Sequence, residues 1–346
     1  MTPATEPAVT GPAGGLRTAL AAGRWVVTAE IGPPRGADPD AVGRTAGLLR
    51  GWVDAANVTD NQGAKVHQSS LAGSVLAQRA GVEPIMQLTC RDRNRLALQS
   101  ELLAAGALGV PNVLLMTGDH PRFGDHPEAK PVFDLDGLQL LETARTLRDE
   151  GTLLSGLPLN GRPDWLIGTV ENPFVPPPGS RSRRLGTKVA AGAEFVQTQY
   201  VFDIEWFERW MAELGELELL GRCAVLAGVG PIRSLRMLDF LSTELPGMHV
   251  PEDVARRLRG VPAERVAREG IDICVETIQR LCQVPGVAGF HLMALGHERG
   301  IPDLLDRAGL GPLGSAGRER PSGGSAADTA ADSAAGTVTT AGQPSD

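Results

Sequence analysis

At 346 residues the chain has room for one large domain or two ordinary ones. Its 41 acidic against 33 basic side chains, a net charge of −8, exclude an ordinary nucleic-acid binder, because counterion release needs clustered cations. Four cysteines without a C-x-x-C pair give no support to a zinc site and suit a reducing compartment, and no apolar run is long enough for a signal peptide or a membrane span, so a soluble, cytoplasmic protein acting on a small molecule is expected.

Residues 1–14 are small and Pro-rich, and are expected to be disordered. Eight short runs rich in Val, Ile and Leu follow, at 25–31, 55–60, 84–90, 112–117, 164–170, 195–201, 223–229 and 288–294. Each is almost continuously apolar, as strands covered on both faces are. Helical periods separate them: 39–50 (Ala41, Val42, Leu48, Leu49), 69–80 (Leu71, Val75, Leu76), 92–106 (Leu96, Leu102, Leu103), 137–149 (Leu138, Leu140, Leu141, Leu147) and 181–191. Two more patterns, 251–259 and 262–283, precede the last strand, which implies one inserted helix before the regular crossover. From 311 to 346 the chain is mostly Ala, Gly, Ser and Thr, too little to offset the entropy of ordering it, and a disordered tail is expected. Strands alternating with helices imply right-handed crossovers and a parallel sheet. Eight such units, with no G-x-G-x-x-G after a strand, predict a (β/α)8 TIM barrel over residues 15–310 rather than an open dinucleotide-binding sheet.

A barrel gathers the C-terminal ends of its strands on one rim, where its chemistry is done. Glu30 ends the first strand ahead of Gly32-Pro33-Pro34, and a half-buried carboxyl there suits general acid work; the alternative is a rim ion pair with Arg35. Asp119 holds the equivalent place on strand four, after a glycine that admits a ligand to the backbone, or else caps the long polar loop that follows. Asp119, His120, Asp125 and His126 invite a metal reading, but all would come from that one loop, and no metal is expected. Arg91, Arg93 and Arg95 crowd a helix start that the dipole reserves for anions, and Arg181, Arg183, Arg184 and Lys188 do the same further on. A phosphate-bearing ligand resolves the conflict; solvated arginines are the alternative. Gln197 and Gln199 share one face of strand six, which implies hydrogen bonds to a ligand or to buried polar neighbours.

These stretches, taken in order, resemble the methylenetetrahydrofolate reductase family over most of residues 20–300. The matching segments are Ala29-Glu30-Ile31-Gly32-Pro33-Pro34-Arg35, Val58-Thr59-Asp60-Asn61, Leu88-Thr89-Cys90-Arg91-Asp92-Arg93-Asn94, Thr117-Gly118-Asp119, Lys188-Val189-Ala190-Ala191-Gly192-Ala193, Gln197-Thr198-Gln199-Tyr200-Val201-Phe202-Asp203, Gly228-Val229-Gly230-Pro231 and Gly289-Phe290-His291. In form they are most similar to the reductase module fused to homocysteine methyltransferases.

The resemblance implies reduction of 5,10-methylenetetrahydrofolate to 5-methyltetrahydrofolate by NAD(P)H, with FAD as hydride relay. By position it makes Glu30 the general acid, Asp119 the carboxylate near flavin and pterin, and Gln199 the amide that contacts substrate and nicotinamide in turn. Thr59, Gly118 and Lys188 match flavin contacts, and Arg184 lies near the phosphates. Three flavin-contact positions depart from the family pattern: Gln87 stands where many members carry His, Thr117 where they carry a basic residue, and Thr169 where they carry Tyr. The departures prompt a second reading, direct hydride transfer from NAD(P)H without flavin. A third is a non-catalytic folate- or flavin-binding barrel beside a methyltransferase partner. A homo-oligomer is compatible with each.

Overall fold

The computed structural model describes residues 15–243 and 247–319. In chain order its elements are α1 (Gly15–Ala21), β1 (Val26–Ile31), α2 (Ala41–Leu49), β2 (Ala55–Val58), α3 (Ser70–Arg79), β3 (Pro84–Thr89), α4 (Arg95–Ala107), β4 (Asn112–Met116), α5 (Gly137–Arg145), β5 (Leu166–Glu171), α6 (Ser180–Ala190), β6 (Phe195–Tyr200), α7 (Ile204–Glu216), β7 (Ala224–Val229), α8 (Leu235–Thr243), α9 (Glu252–Arg259), α10 (Val266–Leu281), β8 (Val287–Leu292) and α11 (Ile301–Arg307). The eight strands are all parallel and close into one barrel in sequence order, β8 pairing back onto β1. The sheet is covered by helices on its outer face, which is why its strands read as unbroken apolar runs.

The barrel interior is layered. At the N-terminal end Val26, Ala55, Ile85, Leu114, Leu166, Phe195 and Leu226 form a dry layer, sealed from below by Leu16 and Ala19 of α1. Phe195 fills the space that Gly168 leaves: a Cβ on that glycine would sit 2.1 Å from the ring. Above this floor the interior turns polar, with Thr28, Asn57, Gln197 and His291 all buried. The open mouth lies beyond them, at the C-terminal ends of the strands. Outside, β1, β2 and β6–β8 pack against α2, α7, α10 and α11, while β3–β5 pack against α4 and α5. No helix among the described residues is long and apolar enough to cross a membrane.

Two expectations need correction. Three helices, α8, α9 and α10, lie between β7 and β8 rather than two, because Leu238 and Leu241 give α8 a buried face of its own. The segment 311–319 is not a loose tail: Ala316–Arg318 form a turn of 3-10 helix and Arg318 is 1% exposed. Its one buried side chain, Arg318, finds a buried carboxylate, Asp54, at the base of β1 and β2. Composition alone misjudged it. The expected disorder of residues 1–14 and of 320–346 falls outside the described residues.

Candidate active site

A cleft of about 780 Å³ opens at the barrel mouth between the ends of β2 to β5 and one face of α6, within the range that holds small-molecule and cofactor ligands. Gln87, Thr117, Gly118, Asp119, Thr169, Arg184 and Lys188, each singled out from sequence, line it together. Gly118 has φ +87°, and a Cβ there would press against Thr89 at 2.8 Å, so only glycine holds this turn without strain. Asp119, next to it, projects its carboxylate from the exposed rim.

The loop after β4 is shaped by its own polar residues. His120 Nδ1 accepts from the Arg122 N–H, Asp125 accepts from the Val66 N–H, and Val132 and Phe133 donate to the carbonyls of Arg91 and Cys90. These bonds lash the loop to its neighbours after β2 and β3. Among the described residues no group of three or more His, Cys, Asp or Glu is disposed to hold a metal ion.

The two arginine clusters differ. At the start of α4 each guanidinium already has a carboxylate: Arg91 grips Asp92, Arg93 grips Asp60 through two bonds of 2.8 and 3.0 Å, and Arg95 grips Asp134 likewise. The helix start is also capped by Asn94. A phosphate is not needed to explain these arginines, and of the three only Arg91 lines the cleft. Asp60 is a fastener, since Thr89 gives it both its N–H and its hydroxyl at 2.9 Å.

The α6 cluster is under-neutralised. Arg181, Arg184 and Lys188 converge on the single carboxylate of Glu171, at 3.8, 3.9 and 2.8 Å. Glu171, buried at the end of β5, was not singled out from sequence; a lone acid closing an apolar strand was its signal. Burial pulls the Lys188 ammonium below its ordinary value, against the Glu171 charge that pushes it up. Arg183 adds a further exposed cation on the cleft wall. The first turn of α6 has no acidic residue and its N-cap, Gly179, supplies no side-chain acceptor, so the dipole and the cations act in the same direction on this wall.

Glu30, Thr59 and Gln199 stand at the same end of the barrel but do not line this cleft. Thr59 is buried, with its N–H on the Ile31 carbonyl. Gln199 Oε1 accepts from the Tyr200 N–H. Glu30, 18% exposed, is faced by His291, whose Nε2 lies 3.8 Å from the carboxylate. The Arg35 partner considered above does not appear. Beneath, Gln197 is engaged by buried neighbours: it trades two hydrogen bonds with Asn57 (2.6 and 3.0 Å) and donates to Thr28 Oγ1 at 3.1 Å. Burial, and then the Glu30 charge, push the Tyr200 phenol up, and its hydroxyl donates to the Met293 carbonyl.

In comparison with known proteins, the family profile described as methylenetetrahydrofolate reductase matches residues 15–309. A Caenorhabditis elegans protein named as a probable methylenetetrahydrofolate reductase (NADPH) is 24% identical over 294 residues, 82% of this chain and 42% of that protein. A 5,10-methylenetetrahydrofolate reductase of Pectobacterium carotovorum is 23% identical over 288 residues, covering 79% of this chain and 86% of its own. The chain thus spans about two fifths of the eukaryotic relative and most of the bacterial one. Among solved structures, an uncharacterized Clostridium thermocellum protein that binds two copies of 5-methyl-5,6,7,8-tetrahydrofolic acid superposes with a TM-score of 0.58 at 11% identity, covering 84% of this chain and 96% of that one, a likeness of fold.

Proposed function

Because this chain belongs to the methylenetetrahydrofolate reductase family, we propose that it reduces 5,10-methylenetetrahydrofolate to 5-methyltetrahydrofolate with NAD(P)H as reductant, FAD as hydride relay and Glu30 as general acid. The observation that carries this is the placement of a half-buried carboxyl, Glu30, at the same barrel mouth as a cleft with a cationic wall.

The cleft suits a flavin dinucleotide. Arg183, Arg184, Lys188 and the uncapped N-terminus of α6 would hold the diphosphate. The bare backbone at Gly118 would admit a flat ring close to β4. When bound, the flavin would take hydride from the nicotinamide and pass it to the folate. The protein's own part is acid–base and positional. The methylene bridge opens to an iminium more readily when its leaving nitrogen is protonated, and Glu30 delivers that proton. Asp119 would set a negative charge near the flavin and the pterin, and Gln199 would turn its amide to substrate and nicotinamide in turn.

One observation favours a second reading, in which the nicotinamide dinucleotide itself occupies the cleft and hydride passes directly to the folate. Among the described residues no aromatic ring lines the cleft, and two hydroxyls at family flavin positions already bond to the protein: Thr117 Oγ1 accepts from the Gly137 N–H at 3.0 Å, and Thr169 donates to the Leu115 carbonyl. A barrel that only binds has no use for an acid at position 30, which counts against a non-catalytic subunit.

The absorbance spectrum of purified protein separates the first two. Yellow protein, bleached by NADH and recoloured by methylenetetrahydrofolate, supports the flavin relay; colourless protein that oxidises NADH only when folate is present supports direct transfer. Under either, Glu30→Gln lowers folate-dependent turnover by about 10²–10⁴-fold. Full turnover in that variant would remove the proposal.

A further inference from the structure

The polar layer under the barrel mouth forms one hydrogen-bonded chain from Asn57 to His291, and it leads up to Glu30. Asn57 and Gln197 hold each other through paired amides, so the Gln197 Nε2 hydrogens go to Asn57 Oδ1 and to Thr28 Oγ1. Thr28 Oγ1 therefore accepts from Gln197 and has its own proton to give. Two acceptors are in range, the Phe290 carbonyl at 3.4 Å and His291 Nδ1 at 3.0 Å, and the shorter contact has the better geometry for it. Where Nδ1 accepts it carries no hydrogen, and the ring proton of His291 sits on Nε2. That nitrogen faces Glu30 Oε1 at 3.8 Å. Every member of the chain below Glu30 is buried, so water does not compete for these bonds.

We infer that His291 is the positioning residue of Glu30: the Asn57–Gln197–Thr28 chain fixes its tautomer so that Nε2–H points at the carboxyl and aims it into the barrel mouth. The inference rests on the reading of Glu30 as the acid. The 3.8 Å gap is longer than a hydrogen bond and is of the kind that closes when substrate is seated. His291 itself touches no reacting atom; it acts by holding the carboxyl in one rotamer, and misplacement of an acid by an ångström is costly.

Two isosteres divide the ring. The amide of Asn falls where Nδ1 lies and keeps the Thr28 contact, whereas the amide of Gln reaches the Nε2 position and keeps the Glu30 contact. Folate-dependent NADH oxidation is measured for both. His291→Gln is expected to stay within about threefold of the parent, and His291→Asn to lose about tenfold or more in kcat with KM for folate little changed. In a Glu30→Gln background His291→Asn should cost nothing further, because the group it positions is gone. Thr28→Val, which removes the hydroxyl that sets the tautomer, should behave as His291→Asn in both backgrounds. If Glu30→Gln alone has full turnover, the acid assignment fails and this inference with it. If Glu30→Gln is impaired but His291→Asn equals His291→Gln, or its loss persists without Glu30, the positioning role is wrong while the acid stands.

Discussion

Ending the chain at residue 310 instead of 319 removes Arg318, and the cost can be worked from its contacts. The guanidinium donates to the Asp54 carboxylate at 3.4 Å, to the Gly311 carbonyl at 2.9 Å and to the Trp52 carbonyl, while the Arg318 carbonyl accepts from the Trp25 N–H. Asp54 is only 3% exposed. Burial pushes its carboxyl up, against the Val27 N–H bonded to it at 2.9 Å and the Arg318 charge. Arg24 is the other nearby cation, at 3.8 Å. Stripping one member from a buried pair costs about 3–5 kcal/mol because the other is left charged and uncompensated. The Val27 amide and Arg24 retain part of that, so about 3 kcal/mol is expected, which for a domain of this size is a fall of roughly 6 °C in midpoint. Thermal unfolding of chains ending at 319 and at 310, with Arg318→Met in the longer one, measures it. Asp54→Asn added to Arg318→Met should recover at least part of the loss, since the amide leaves no buried charge. Midpoints of the two chains within about 1 °C would refute the place given to 311–319 in the folded unit.

Lys188→Met should weaken FAD binding, read by fluorescence quenching, by about tenfold or more through loss of a charged donor. Because burial holds the Lys188 ammonium below the ordinary 10.5, its charge is lost earlier as the pH is raised than that of an ordinary lysine; on the flavin reading wild-type affinity should fall as the pH rises toward 10.5 while Lys188→Arg keeps its affinity, and identical alkaline profiles would contradict this. The Arg95 side chain and N–H hold the Asp134 carboxyl down at about 2, from an ordinary 3.8. A depressed acid stabilises above its unfolded value and ceases to as pH falls through the folded one, so Asp134→Asn should have a lower urea midpoint than the parent at neutral pH and the same one by about pH 2. Burial pushes Cys90, Cys223 and Cys274 up to about 12; at pH 8 a disulfide reagent should react rapidly with at most Cys282, and with all four thiols only after denaturation. Rapid reaction of two thiols in the native chain would deny the packing around them.

The strands were legible because a closed sheet covered by helices forces continuous apolar runs, and each expected strand overlaps an observed one with ends shifted by a residue or two. Helix α7 was missed although its signal was present: Asp203 caps it, and Ile204, Phe207, Trp210, Met211 and Leu214 are all buried on one helical face. The aromatic motif just before it masked the change from period two to period 3.6. Of the cleft residues, Gly118 and Asp119 were legible from a strand end, since a parallel barrel brings those ends together; Arg184 and Lys188 were legible from a cationic helix start, and Gln87, Thr117 and Thr169 only through the family resemblance. Pairings were not. Asp60 and Asp134 are 33 and 39 residues from the arginines they grip, and only the closed barrel makes them neighbours, which is why a cluster that looked like a phosphate site on α4 is largely self-neutralised while the one on α6 is not.

The same limit explains the polar layer. Asn57 sits in a four-residue strand between Ala56 and Val58 and reads locally as an imperfection, and its partner Gln197 is 140 residues away on a strand that does not adjoin its own. Bonds between β2 and β6 can only cross the barrel interior. A barrel filled with apolar side chains throughout would be easier to stabilise, since each buried amide needs every partner in place. The dry layer over α1 shows that this chain can build such a core. It stops doing so one layer below Glu30, and spends two amides, a hydroxyl and an imidazole there; on the proposed reading of Glu30 as the acid, their use is to hold one carboxyl still at the open end.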